Sequence, residues 1–321
     1  MDKEAICKIE VDTILRYGNE VSFDVYIRLS DTKIVKISRK EDKFQDVVLK
    51  YKVKGVTHVY VNKADYVSYL QNLKNSLTNK FFDPGTQPEK AVVQLNDAYS
   101  AVRESCQKMG FEEHSIALAE EVSKKSMEMV NKSPNIFKFF IEFKEKCDKE
   151  FMRKMLVSYT SSLMITTFEW QSAAIKEKAA LASMLCDITL TPQDFVDIKA
   201  NEKTPEKLSE RLRNHPLQIS SMLLLQEKQG MISKETLLVI EQHHERPEGE
   251  GFPRKLRHTA ITLLSAIHIV ADLFIDLLIK HNFDSKQQED ILTQVYNCYN
   301  QGNFRKATIS LCRVFGIELR Y

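Results

Sequence analysis

From Glu89 nearly to its end, the chain repeats apolar residues at the three- and four-residue spacing of amphipathic helices. That pattern commits roughly three-quarters of the molecule to packed helices and leaves little chain for a large sheet. Helices are predicted over residues 89–108, 112–132, 135–146, 149–168, 174–188, 192–200, 205–212, 217–228, 234–244, 258–281, 286–301 and 303–315. Pro134, Pro192, Pro205 and Pro216 fall near the starts of several of them, where a missing backbone N–H costs nothing.

The N-terminal stretch reads differently. Residues 21–29 and 33–38 are β-branched and alternating around Ser30-Asp31-Thr32, a hairpin signal. A helix over 43–52, a strand over 57–61 and a closing helix over 64–77 complete a small α/β domain. Proline and glycine punctuate Phe82-Asp83-Pro84-Gly85-Thr86-Gln87-Pro88 as a linker. The reading is therefore mostly α: a small α/β domain over 1–80, a linker and connecting helices over 81–149, and an all-helical domain over 150–321. A length of 321 residues suits two domains. Residues 1–80 carry no paired acids, glycine-rich loop or metal spacing, and read either as a sensing or docking module or as a structural appendage.

Charge excludes some partners. Lys and Arg number 46 against 44 Asp and Glu, so no basic excess calls for nucleic acid and no acidic tail for a basic partner. Met1 is followed at once by Asp2, Lys3 and Glu4, with no apolar leader. The longest apolar run, 260–279, is broken by His268, Asp272 and Asp276 and reads as a buried helix rather than a membrane span. Cys7, Cys106, Cys147, Cys186, Cys298 and Cys312 form no CxxC pair and read as free thiols of a reducing cytoplasm.

The residues that could carry chemistry cluster in the second half. Cys186-Asp187 ends an apolar helix, His215-Pro216 opens the next strong one, His243-His244-Glu245 runs into a loop bearing Gly249, Gly251 and Pro253, and Asp272 lies in an apolar helix. A metal centre that hydrolyses phosphate esters needs neutral imidazoles and carboxylates as ligands, plus an open position for water whose pKa the metal lowers. In helical proteins such ligands come from several helices facing inward. Asp187, His215, His243, His244 and Asp272 each sit beside apolar helix positions, but any one alone is better read as a hydrogen-bonded core residue.

Together these segments resemble the HD-GYP branch of the metal-dependent phosphohydrolases, bacterial phosphodiesterases that act on cyclic di-GMP. The resemblance rests on Leu185-Cys186-Asp187-Ile188, Asn214-His215-Pro216, His243-His244-Glu245-Arg246-Pro247-Glu248-Gly249-Glu250-Gly251-Phe252-Pro253 and Val270-Ala271-Asp272, in the family's order and spacing. The His243–Pro253 segment is the specific one. The resemblance implies a helical HD-domain bundle over 150–321 and a divalent metal, iron, manganese or zinc. It implies metal ligands among Asp187, His215, His243, His244, Asp272 and Cys186, with Asp187 at the centre of the chemistry. It also implies nucleotide contacts from Arg246, Gly251, Phe252, Pro253 and Arg254.

The departures are as informative. The family's His-Asp pair is Cys186-Asp187 here, the lysine that follows is replaced by Leu190, and the tyrosine of the glycine loop is Phe252. An upstream ligand histidine has no counterpart near Arg153-Lys154-Met155, and the Arg-Pro-Tyr run after the third segment is absent. These losses imply one metal position retained at Asp187, His215, His243 and His244, and one damaged position leaning on Cys186, Asp187 and Asp272, where a basic side chain stands in place of the imidazole and its charge opposes a cation. Cys186 reads as a buried small residue, a thiolate ligand or a redox switch. His268, one turn before Asp272, reads as an orienting partner or a simple contact. The functional expectation is a degenerate member that binds metal and nucleotide with weak or no hydrolysis. The alternatives are an active phosphodiesterase giving pGpG or GMP, and an interaction scaffold. Expected partners are cyclic di-GMP or a related nucleotide, a protein meeting residues 1–80, and a second copy in a homodimer.

Overall fold

The computed structural model describes residues 6–17, 23–30, 33–40, 42–80, 88–132, 141–142 and 145–316. The chain divides into two compact units, Met1–Lys125 and Ser126–Tyr321.

The first unit holds a four-stranded antiparallel sheet. Strand β1 (Ile6–Glu10) leads into helix α1 (Val11–Tyr17), followed by β2 (Val25–Arg28), β3 (Ile34–Ser38), α2 (Phe44–Val53), β4 (His58–Asn62), α3 (Lys63–Lys80) and α4 (Pro88–Met109). The strand order is β1-β4-β2-β3, with Ile6 opposite Asn62 and Val25 opposite Ser38. Alternation does the work that the sequence suggested. Val25, Ile27, Val59 and Val61 are buried on one side, against a core that includes Tyr66, Tyr69, Leu70 and Leu73 of α3. β1 and α1 went unanticipated, because Ile6-Cys7-Lys8-Ile9-Glu10 is too short a run to reveal a strand before its partner β4 is known. The linker read at 82–88 lies outside the described residues except for Pro88, as does most of the helix read at 135–146.

One buried charge in this unit makes a testable case. Asp97 of α4 is 4% exposed and accepts a 2.6 Å hydrogen bond from the Arg16 guanidinium. Burial raises its pKa to about 6 despite the arginine. The folded state therefore holds a proton that the unfolded chain has already lost between about pH 4 and pH 6. The associated stability is full below the ordinary carboxylate pKa and is lost as pH rises through about 6. Asp97→Asn, which mimics the neutral acid, should leave stability near pH 4 little changed and raise it near pH 7 by about 1–3 kcal/mol. Urea unfolding at the two pH values checks this, and an equal effect at both would refute it.

In the second unit, the tail of α5 (Glu113–Asn131) is followed among the described residues by α6 (Lys149–Ile165), α7 (Ala173–Leu185), α8 (Pro192–Ala200), α9 (Glu210–Lys228), α10 (Lys234–Gln242), α11 (Leu263–Lys280), α12 (Gln288–Cys298) and α13 (Gly302–Val314). The mostly-α expectation is met. Caps set the starts: the side chains of Asp148, Ser172, Ser209, Ser233 and Thr262 each accept a backbone N–H of their own first turn. At α8, Thr191 and Asp194 form a capping box with Pro192 at the first position. No helix among the described residues is long and apolar enough to cross a membrane.

Three helix starts differ from the sequence reading, each for a local reason: of the run read from 205, Pro205–Lys207 makes a single 3-10 turn and α9 begins only at Glu210, after the Ser209 cap. Pro216 does not open its helix but lies inside α9, because Ser209 caps the chain two turns earlier. The run read from 258 becomes helical only at Leu263, after Thr262. Residues 245–261 are held as a loop by bonds to Glu245, Pro247 and Gln242 instead.

Candidate metal centre

The C-terminal ends of α7 and α10 and the second turn of α9 converge on Asp187. The Asp187 carboxylate is buried just beyond the C-cap Cys186 of α7. His215 enters from within α9, and His243 and His244 from the end of α10. One ligand atom from each of these four residues lies within 4.8 Å of the others.

Local backbone chemistry aims the imidazoles. Pro216 has no N–H to give the Leu212 carbonyl one helical turn before it. His215 Nδ1–H donates to that carbonyl at 2.7 Å instead. Ile240 lies in the last turn of α10, where carbonyls lack helical partners, and His243 Nδ1–H donates to it at 2.6 Å. Each bond fixes the tautomer, so Nε2 of each ring presents a lone pair to the centre. Those atoms lie 3.2 and 3.1 Å from Asp187 Oδ1 and 3.4 Å from one another. His244 Nε2 lies 3.8 Å from the same oxygen and is buried without a hydrogen-bond partner. Burial lowers the pKa of His243, and of His244 still more, so both rings are neutral at pH 7. In those tautomers the Nε2 lone pairs of His215 and His243 face the Asp187 carboxylate. A divalent cation would resolve that arrangement, and the orphaned His244 nitrogen would supply its third imidazole. This donor set fits one metal ion.

The other two candidate ligands stand apart from this cluster. Lys154 of α6 is 1% exposed, and its ammonium pairs with Asp187 Oδ2 and donates to Cys186 Sγ at 3.1 Å. Asp272 of α11 accepts from Arg153 at 2.6 Å, and Asp276 accepts from the same guanidinium at 2.8 Å. Burial favours a neutral Asp187, but the Lys154 charge reverses this and holds its pKa well below the usual carboxylate range. Burial, with Asp187 beside it, pushes the Cys186 thiol up to about 12. A thiol so placed carries its proton at pH 7. His268 is buried with Nδ1 3.0 Å from Ser183 Oγ, outside the ligand set.

The loop after His244 is organised from within. Glu245 is fully buried, and its carboxylate accepts the backbone N–H groups of Arg254 and Leu256, each at 2.8 Å. The Phe252 N–H donates to the His244 carbonyl at 3.1 Å, and the Phe252 ring stacks on the His244 imidazole at 4.4 Å. The same ring packs with Leu190, Ile198, Leu208 and Leu212, so the residue that replaces the family's lysine is core. The Phe252–Pro253 peptide is cis. Arg246 pairs with Glu202 at 2.7 Å, and Arg254 with Glu241 at 3.0 Å. Of the five residues read as nucleotide contacts, Arg254 is the most exposed, Arg246 and Pro253 are half-buried, and Gly251 and Phe252 are buried.

The HD-domain family model matches residues 141–292, the stretch that supplies every residue of this cluster. The chain carries an HD domain. The HD domain's surroundings also match in fold. A solved structure of an HDG"Y"P protein from Bdellovibrio bacteriovorus is similar with a TM-score of 0.58 and 16% identity, over 97% of this chain and 99% of that one. The resemblance to the HD-GYP branch thus stands, carried by the HD domain and by fold. No curated protein matches the chain significantly.

The direct pairing of Lys154 with Asp187 escaped sequence reading. A signal was present: Phe151, Met155 and Ser158 flank Lys154 at helical spacing and are buried, which puts the lysine on the inward face of α6.

Proposed function

We propose that this HD-domain protein is a degenerate HD-GYP protein of cyclic di-GMP signalling. It binds one divalent ion, iron, manganese or zinc, at Asp187, His215, His243 and His244, and it binds cyclic di-GMP or a related nucleotide with weak or no hydrolysis. The observation that carries this reading is the ion pair of Lys154 with Asp187, beside that of Arg153 with Asp272. Together they commit to protein cations the carboxylates that a second metal would need.

The bound metal would act as a Lewis acid toward a phosphate oxygen. The chain's own residues do the rest. Leu212 and Ile240 carbonyls hold the imidazoles in register, Phe252 backs His244, and Glu245 ties the loop that bears Arg246, Pro253 and Arg254. Those arginines fit anionic phosphate geometry once they exchange their carboxylate partners for it. With one charge-stabilising element missing, turnover falls by roughly 10²–10³-fold or more relative to a two-metal centre. On the same reading the protein acts in the cytoplasm, residues 1–80 meet a protein partner, and the chain forms a homodimer.

The test is direct. The purified chain, loaded in turn with iron, manganese and zinc, is mixed with cyclic di-GMP. Binding is read by calorimetry, and pGpG and GMP by chromatography. Expected are measurable binding, at most slow product, and loss of metal and binding together in His243→Ala. Rapid product would instead establish an active phosphodiesterase. Neither binding nor product would leave an interaction scaffold.

A further inference from the structure

Asp187 offers its two carboxylate oxygens to two different surroundings. Oδ1 faces the three imidazole nitrogens at 3.2, 3.1 and 3.8 Å. Oδ2 faces the ammonium of Lys154, and Cys186 Sγ lies 3.6 Å from the same oxygen and 3.1 Å from the Lys154 nitrogen. A carboxylate used on both oxygens bridges two neighbouring cation positions. The first has ligands for a metal. The second does not fit one, because an ammonium has three donors and no lone pair, and Cys186 is fully buried at the end of an apolar helix. Asp272 is held by Arg153 at 2.6 Å.

We infer that the ammonium of Lys154 is a tethered cation standing in the second cation position of this centre, so that the chain is built for one metal ion and one lysine where two ions would otherwise share Asp187. A buried lysine with a carboxylate partner is stable only as a pair. Such a pair keeps Asp187 ionised and fixed for the imidazole side whether or not a metal has arrived. It also repels any further cation at the Oδ2 side. The Lys154 ammonium bonds the Asp187 carboxylate and the Cys186 thiol, so it is a positioning residue. The inference rests on the one-metal reading above and goes beyond it in naming what replaces the second ion.

The experiment is metal stoichiometry in the full chain. Wild type, Lys154→His and Lys154→Met are dialysed against excess Mn²⁺, then measured by elemental analysis and electron paramagnetic resonance. Expected is one ion per wild-type chain with an isolated-ion spectrum. Lys154→His should hold two, with the spectrum of an exchange-coupled pair, since the repelling ammonium is gone and its imidazole joins Asp187 Oδ2 as a donor. Lys154→Met, uncharged and unable to ligate, should stay at one. One ion in both wild type and Lys154→His overturns the inference and leaves the one-metal reading standing. No ion in any of the proteins overturns both, and two ions in wild type overturn the inference at once. Should Lys154→His fail to fold, Lys154→Gln serves with the same expected rise, and its remaining at one ion counts against the inference.

Discussion

Asp187→Ala is expected to abolish metal binding and, in the metal-free protein, to cost about 3–5 kcal/mol of folding stability. The first effect follows because every imidazole of the cluster converges on Oδ1 of this one residue. The second follows from Lys154. With 2% of its side chain exposed, it would be left with an uncompensated charge far from water. The two effects separate in a double variant. Asp187→Ala with Lys154→Met removes both charges, so most of the stability should return while the metal stays lost. Urea unfolding and elemental analysis of the three proteins check this. If the double variant were no more stable than Asp187→Ala alone, the ion pair would not be the source of the loss.

Gly251→Ala is expected to be the most damaging single change in the loop, at about 2–4 kcal/mol. A Cβ at this position would lie 2.5 Å from three backbone atoms: Arg246 N, Glu245 Cα and the His244 carbonyl oxygen. None of these can rotate away as a side-chain tip would. Relief requires shifting the segment that carries His244, so metal affinity should fall together with stability. Gly249→Ala is the control. Its φ of +84° disfavours a side chain, but its tightest contact is 3.2 Å, to Lys255 O, so a cost nearer 1 kcal/mol is expected. Thermal unfolding and Mn²⁺ titration of both variants decide the matter. Equal effects would show that close packing of the loop on His244 is not what Gly251 serves.

Much of this centre was legible before any coordinates. The period of the apolar residues announces the helical bundle, because a helix must turn one face inward whatever it packs against. The adjacent His243-His244 before a glycine loop singles out the segment that the fold brings beside Asp187. Other features were hidden for physical reasons. That Pro216 lies inside α9 depends on the Ser209 cap, and the benefit appears only in the geometry: a carbonyl freed by proline becomes the anchor that orients His215. The loss of the family's tyrosine hydroxyl is visible at Phe252, but the stacking of that ring on His244 is not.

What the sequence determined by itself is therefore the class of fold, the HD-type order of Asp187, His215, His243 and His244, and the absence of a histidine near Lys154. What only the tertiary structure decided is where the charges of α6 go. Arg153 and Lys154 are adjacent in sequence yet meet different acids, Asp272 with Asp276 for one and Asp187 for the other. A lysine in a helix reads as solvated by default, since long charged side chains reach water from most positions. Lys154 is denied that exit because the face of α6 it shares with Phe151 and Met155 is buried. The carboxylate of Asp187 is the partner that makes its burial tolerable.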